Sequence, residues 1–172
     1  MTRKESPLEV AMKGSVAGLI GTAVITVAMK GTPVVMQQLG ISPPEPKTQE
    51  AKQKAAGEPT EKLAEKVSTG VFEQPIEEDT REAAGQVIHW SYGAAWGALY
   101  GIVQSSLRIP HLLLGLLFGG LVGAVASTLV PSMGLTPAPT EQPASKNAML
   151  MAFNLLYGLV TALAFHAMSR DA

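Results

Sequence analysis

The stretch that decides the fold is residues 111–130, HLLLGLLFGGLVGAVASTLV, which contain no Asp, Glu, Lys or Arg. Charge is also missing from the surrounding residues 109–140 and from residues 83–107 and 147–169. A surface helix of a soluble protein needs a charged face, and each of these runs is long enough for the roughly 20 residues that cross a bilayer. The sequence therefore predicts an integral membrane protein built from helices.

A further apolar segment lies near the N-terminus and is interrupted by Lys30. The apolar segments together predict an all-α fold, a four-transmembrane-helix bundle that forms a single integral membrane domain over residues 1–172. The predicted spans cover about residues 14–39, 83–106, 111–130 and 147–168. The alternative for the first segment is a signal peptide, because basic residues precede its apolar part, but no Ala-x-Ala cleavage site follows it.

A polar connection, residues 42–79, separates the first two predicted spans. Within it, residues 47–56 and 60–69 have the composition of short helices, so the connection is expected to be partly helical. One interpretation is a solvated linker. The other is a helix that lies on the membrane surface or on the bundle.

Four spans place both termini on one side of the membrane, which we call side B, and the polar connection on the opposite side A. The count of Lys and Arg is higher on side A, whereas the basic residues of side B are concentrated next to the spans. Charges near the ends of spans have the most weight in setting orientation, which favours termini on the cytoplasmic side.

Two spans carry glycines at four-residue spacing, which places each set on one helix face and allows a close approach of backbones. The expected helix-packing residues are Gly93, Gly97 and Gly101 in the second span and Gly115, Gly119 and Gly123 in the third. The turn between these spans is short, so we expect the two glycine ridges to pack against each other. The alternative is that one ridge faces a second copy of the chain.

Polar side chains within the spans define a candidate intramembrane cluster of Lys30, His89, Tyr100, Asn154 and Tyr157. Lys30 is expected to extend towards side A, with an inward position facing a polar cavity as the alternative. Asn154 is expected to form a hydrogen bond with another helix, and a buried Tyr100 needs a partner for its hydroxyl group.

Several chemistries lack the residues they require. The chain has no Cys, which excludes disulfides, thiol nucleophiles and iron–sulfur clusters. Of the three histidines, His111 and His166 fall at the same membrane depth, and no third ligand accompanies them, so we predict no metal, haem or other cofactor. No pair of acids, phosphate-binding loop or Ser-His-Asp set appears, so no catalytic residue is assigned and no enzyme activity is predicted.

The net charge of −1 and the lack of a basic stripe exclude nucleic acid as an expected partner. The partners that remain are membrane lipid, a second copy of the chain, or another membrane protein.

Three segments resemble a known family. They are Ser42-Pro43-Pro44-Glu45-Pro46, the run HWSYGAAWGALYG over residues 89–101, and NLLYGL over residues 154–159. With the first span, they resemble the YagU-like family of small bacterial inner-membrane proteins. The resemblance implies a multi-pass protein of the cell inner membrane and carries over no activity and no catalytic residue.

Two functions are consistent with these patterns. The glycine ridges and the absence of charged catalytic groups favour a non-enzymatic membrane protein that acts by packing with itself or with a partner. The intramembrane polar residues favour the alternative, a small-solute or proton pathway formed by an oligomer.

Overall fold

The computed structural model describes residues 6–38, 58–73 and 75–170, so the short helix predicted over residues 47–56 lies outside the described residues. The described part is all-helical and without strands, which confirms the predicted all-α class. It comprises α1 (Pro7–Gln38), α2 (Pro59–Phe72), α3 (Glu78–Ser106), α4 (His111–Ser132), a 3₁₀ turn (Pro139–Glu141) and α5 (Ala144–Arg170).

Three of the described helices are long and apolar enough to cross a membrane: α1 over Pro7–Thr32, α4 over His111–Ser132 and α5 over Ala144–Arg170. The helix α3 is 29 residues long but does not meet the same criterion of composition. Its charge-free part contains His, Gln, Ser, Tyr and several Gly residues, which lower its hydropathy. The fourth span therefore stays a prediction.

The helix α2 corresponds to the short helix predicted over residues 60–69. It begins with Pro59 in the first turn, where the missing N–H costs no hydrogen bond. The Glu61 carboxylate accepts a hydrogen bond from the backbone N–H of Glu58 at 3.2 Å, which closes the start of the helix.

The predicted mutual packing of the two glycine ridges is wrong. The ridge on α3 packs against α1, and the ridge on α4 packs against α5, while α1 also packs against α5. The helices α3 and α4 are consecutive and joined by a short turn, but the glycine face of each one packs against a different helix. The reason is that α1 and α5 carry small residues of their own that match these faces.

Backbone contact between α1 and α3 depends on glycines from both helices. A Cβ atom added at Gly97 would overlap the carbonyl oxygen of Gly14 and lie 2.6 Å from the Cα of Gly18. A Cβ atom added at Gly18 would lie 2.8 Å from the Cα of Gly97. Neither helix can therefore accept a side chain here without moving apart.

The contact between α4 and α5 has the same form. A Cβ atom added at Gly119 would lie 2.5 Å from the carbonyl oxygen of Asn154 and 2.9 Å from the Cα of Leu155. One added at Gly158 would overlap the carbonyl oxygen of Gly115. Close approach of this kind favours packing in a membrane, where burial of apolar surface gives little drive for helix association.

The helix α2 lies on the bundle rather than in a solvated linker. Its Ala64 is buried, and the Arg81 guanidinium on α3 lies 3.2 Å from the carboxylate of Glu65. The ammonium of Lys66 donates to the carbonyl oxygen of Met133, just beyond α4. These contacts connect α2 to both α3 and the end of α4.

Adjacent glycines on α4 give a matched test of this packing. We expect Gly119→Ala to lower the stability of the protein by about 1–3 kcal/mol, the usual cost of overpacking, because its new methyl group would meet α5 backbone. Gly120→Ala should be neutral or stabilising by up to about 1 kcal/mol, since its Cβ would lie 3.9 Å from the nearest described atom, in Leu155. Thermal unfolding of both variants in detergent measures the difference, and equal melting temperatures would contradict the packing described.

Candidate functional site

A cavity of about 900 Å³ lies among the side-A ends of the helices. All five helices and the connection between α4 and α5 contribute to its walls. This volume is within the range of sites that bind small molecules, roughly 300–1,000 Å³.

The cavity extends along the bundle axis. The lining residues of α5 run from Lys146 to Tyr157, which corresponds to a depth of about 16 Å at 1.5 Å per residue. In the part of the chain that the structure describes, the charged lining residues belong to the outer end: Glu58 directly before α2, Lys62 within α2, and Lys146 in the first turn of α5. Most of the inner wall is apolar, including Ile25, Ile88, Val122, Ala126 and Leu150. The site thus has a charged mouth and an apolar body.

His89 meets Thr26 of α1 in the wall of the cavity. The Thr26 hydroxyl lies 2.7 Å from the carbonyl oxygen of Thr22. The His89 Nε2 atom lies 3.2 Å from the same hydroxyl oxygen. This contact joins α3 to α1 in the wall of the cavity, whichever of the two groups gives the hydrogen.

Tyr157 makes the hydrogen bond between helices that the sequence had led us to expect of Asn154. The Tyr157 hydroxyl on α5 donates to the carbonyl oxygen of Gly93 on α3 at 2.7 Å. The Asn154 amide instead donates to the carbonyl oxygen of Leu150, one turn back on its own helix, at 2.8 Å. The predicted hydrogen bond from Asn154 to another helix is therefore wrong, because its amide bonds to the backbone of its own helix, although its Cβ lies against α4, 3.2 Å from a Cβ atom added at Gly123.

Aromatic side chains fill the bundle directly beyond the inner end of the cavity. The rings of Trp96 and Tyr100 on α3 meet Phe118 on α4 edge-to-face, with centroids 5.7 and 5.2 Å apart. Tyr100 meets Phe165 on α5 in the same way at 5.8 Å. This cluster separates the cavity from the side-B end of the bundle.

The structure divides the five residues of the candidate intramembrane cluster. His89, Asn154 and Tyr157 line the cavity. Lys30 is exposed and does not line the cavity, and its extension towards side A stays a prediction. Tyr100 is fully buried at the other end of the bundle.

Tyr100 has the partner that a buried hydroxyl needs. Its oxygen lies 2.9 Å from Oε1 of Gln104 and 3.2 Å from the carbonyl oxygen of His111. The Gln104 amide donates to the carbonyl oxygen of Ile109 at 3.1 Å. These bonds hold the turn between α3 and α4 closed at side B.

The two histidines predicted to share a depth do meet. The rings of His111 and His166 are stacked, with centroids 3.9 Å apart and planes 8° from parallel. Within residues 6–38, 58–73 and 75–170, no three His, Asp or Glu side chains form a group that could hold a metal ion. The stacked pair alone does not define a metal site, since a closed structural zinc site takes four ligands.

Sequence reasoning missed the residues that make the site a cavity. Lys62 lines the mouth together with Gln142, Lys146 and Asn147, which lie 80 or more positions further along the chain. The spacing of Asn147, Asn154 and Tyr157 along one face of α5 was the available signal. Nothing in the sequence indicated that α2 would cover this face.

Comparison with known proteins gives no relative: no family model, curated protein or solved structure matches the chain. The resemblance to the YagU-like family therefore stays a prediction.

Loss of one hydroxyl tests the bond that joins α5 to α3. We expect Tyr157→Phe to lower stability by about 0.5–1.5 kcal/mol, the net value of a typical hydrogen bond, because the variant keeps the ring and loses the donor to Gly93. The matched control is Tyr92→Phe, at a tyrosine that is 41% exposed. Thermal unfolding in detergent should show a lower melting temperature for Tyr157→Phe than for the control, and the reverse order would refute this role.

Proposed function

We propose that this chain is a non-enzymatic, four-span protein of the bacterial inner membrane that binds an amphipathic small molecule in its side-A cavity. The observation that carries the proposal is the cavity itself, which combines a charged mouth with an apolar body about 16 Å deep. An amphipathic molecule matches both parts. In this proposal the protein is an accessory binding protein whose glycine contacts hold the cavity in shape.

The register of α3 against α1 supports the fourth span. The two helices are antiparallel, because residue numbers rise along α3 as they fall along α1. The successive contacts are His89 with Thr26, Gly97 with Gly14, and Gly101 with the carbonyl oxygen of Val10. Because α1 is apolar enough to cross the membrane over this length, α3 lies at the same depths beside it. The lower hydropathy of α3 follows from its glycines and from polar groups that face the cavity or other helices.

A small-solute or proton pathway is the second candidate. The convergence of His89, Asn154 and Tyr157 on one cavity favours it. The aromatic cluster of Trp96, Tyr100 and Phe118 argues against a path through a single protomer, because it fills the bundle between the cavity and side B. A binding site closed at its inner end agrees better with this arrangement.

The topology can be tested by labelling, since the chain has no native Cys. With four spans, Ser6→Cys and Leu107→Cys should react with a membrane-impermeant maleimide from the same side of the membrane, and Glu141→Cys from the opposite side. Intact spheroplasts and inverted vesicles report the two sides. Reaction of Ser6→Cys and Leu107→Cys from opposite sides would show that α3 does not cross.

Filling the cavity tests the proposed binding. Ala126 lines the cavity, whereas Ala124 is exposed on another face of the same helix. We expect Ala126→Phe to abolish saturable binding of tritiated palmitate and tritiated monopalmitoylglycerol to the detergent-purified chain, because the ring would occupy the apolar body. Ala124→Phe should bind as the native chain does. If neither probe binds the native chain saturably, or if both variants bind equally, the proposed function is wrong.

A further inference from the structure

We infer that the occupant of the side-A cavity is an anionic amphiphile, with an acyl chain in the apolar body and an anionic head group at Lys62 and Lys146. This inference rests on the proposed function and names the class of ligand.

The charges at the mouth favour an anion. Among residues 6–38, 58–73 and 75–170, the charged residues that line the cavity are Lys62, Lys146 and Glu58, two positive against one negative. The lysines belong to different elements, α2 and the first turn of α5, so a head group between them would be approached from two sides. An ammonium group offers three donors and no acceptor, which suits a carboxylate or phosphate oxygen.

The neutral donors at the mouth are already engaged. The Gln142 amide donates to the carbonyl oxygen of Pro137 at 2.7 Å, and the Asn147 amide donates to the carbonyl oxygen of Pro139 at 2.7 Å. These bonds fix the connection between α4 and α5 against the mouth. Attraction by positive charge does not require a free donor, so the ammonium groups of Lys62 and Lys146 are the part of the mouth that the proposed head group would meet.

The depth of the cavity favours an acyl chain. Its extent of about 16 Å along α5 is close to half the roughly 30 Å thickness of the hydrocarbon core, which is the length that one leaflet provides for its acyl chains. The mouth lies at the side-A ends of the proposed spans, where lipid head groups lie. A chain that enters beside its head group would end at the floor formed by Val122 and Tyr157.

The walls of the cavity converge towards its inner end. On the side-A half of the bundle, α3 and α4 line the cavity with His89 and Ala126, while further in they meet through the rings of Trp96 and Phe118. The apolar body therefore ends inside the bundle, as suits an acyl chain whose methyl end lies deepest.

The test measures saturable binding of tritiated palmitate to the full chain in mild detergent by scintillation proximity. Neutral tritiated monopalmitoylglycerol has the same chain without the charge, and inorganic phosphate has the charge without the chain. We expect palmitate to bind at least tenfold more tightly than monopalmitoylglycerol, and phosphate not to compete with it at millimolar concentration.

The variants isolate the two lysines. The double variant Lys62→Gln with Lys146→Gln should weaken palmitate binding about tenfold or more, the order of magnitude for hydrogen bonds to a charged group, and leave monopalmitoylglycerol binding unchanged. Replacement of both lysines by Arg should retain the affinity for palmitate. The matched control is Lys30→Gln, which removes a positive charge from an exposed lysine that does not line the cavity.

Each outcome decides a separate point. Equal binding of palmitate and monopalmitoylglycerol, or equal effects of Lys30→Gln and the double variant, would overturn the anionic head group and leave the proposed amphipathic site standing. Competition by phosphate alone would show that the mouth binds a free anion, which also overturns the inference. No saturable binding of either lipid probe would overturn the proposed function itself.

Discussion

The structure depends on a close approach of backbones that glycine alone permits. Gly14 and Gly18 on α1 meet Gly97 on α3, and Gly158 on α5 meets Gly115 and Gly119 on α4. In a bilayer the apolar side chains gain little from leaving lipid, so dispersion and polar contacts between closely spaced helices have to hold the bundle. These two interfaces, joined by the contact of α1 with α5, fix which helices are neighbours.

The cavity is a consequence of this choice of neighbours. The glycine ridge of α3 packs against α1, and that of α4 packs against α5. No glycine contact therefore draws α3 and α4 together. Their short turn and the bonds of Tyr100 and Gln104 hold them close at side B. Towards side A, α3 and α4 form opposite walls of the cavity. The helix α2 lies across this end, where its Lys66 bonds to Met133 and its Glu65 pairs with Arg81 of α3.

The same geometry separates two kinds of polar group. Groups in tightly packed regions are engaged with backbone, as Tyr157 is with Gly93, and they stabilise the bundle. Groups around the cavity keep part of their hydrogen-bonding capacity: Asn154 has its amide oxygen in addition to the bond that its nitrogen donates. A ligand with a polar head and an apolar chain is the molecule that such a surface complements.

The sequence by itself determined the all-α class, the limits of α4 and α5 to within a few residues, the helix within the polar connection, and the faces on which glycines permit close packing. Those properties follow from composition and from the 3.6-residue period, which are local. The partners of the glycine faces and the hydrogen bond of Tyr157 were decided by the tertiary structure. A glycine ridge shows that a helix can be approached closely, but any other face of small residues can pack against it. The partner of the ridge on α3, which could be α1, α4 or α5, therefore depends on how well whole helix surfaces match. The cavity likewise exists because Lys62 and Lys146, 84 positions apart in the chain, are brought to one mouth by that choice.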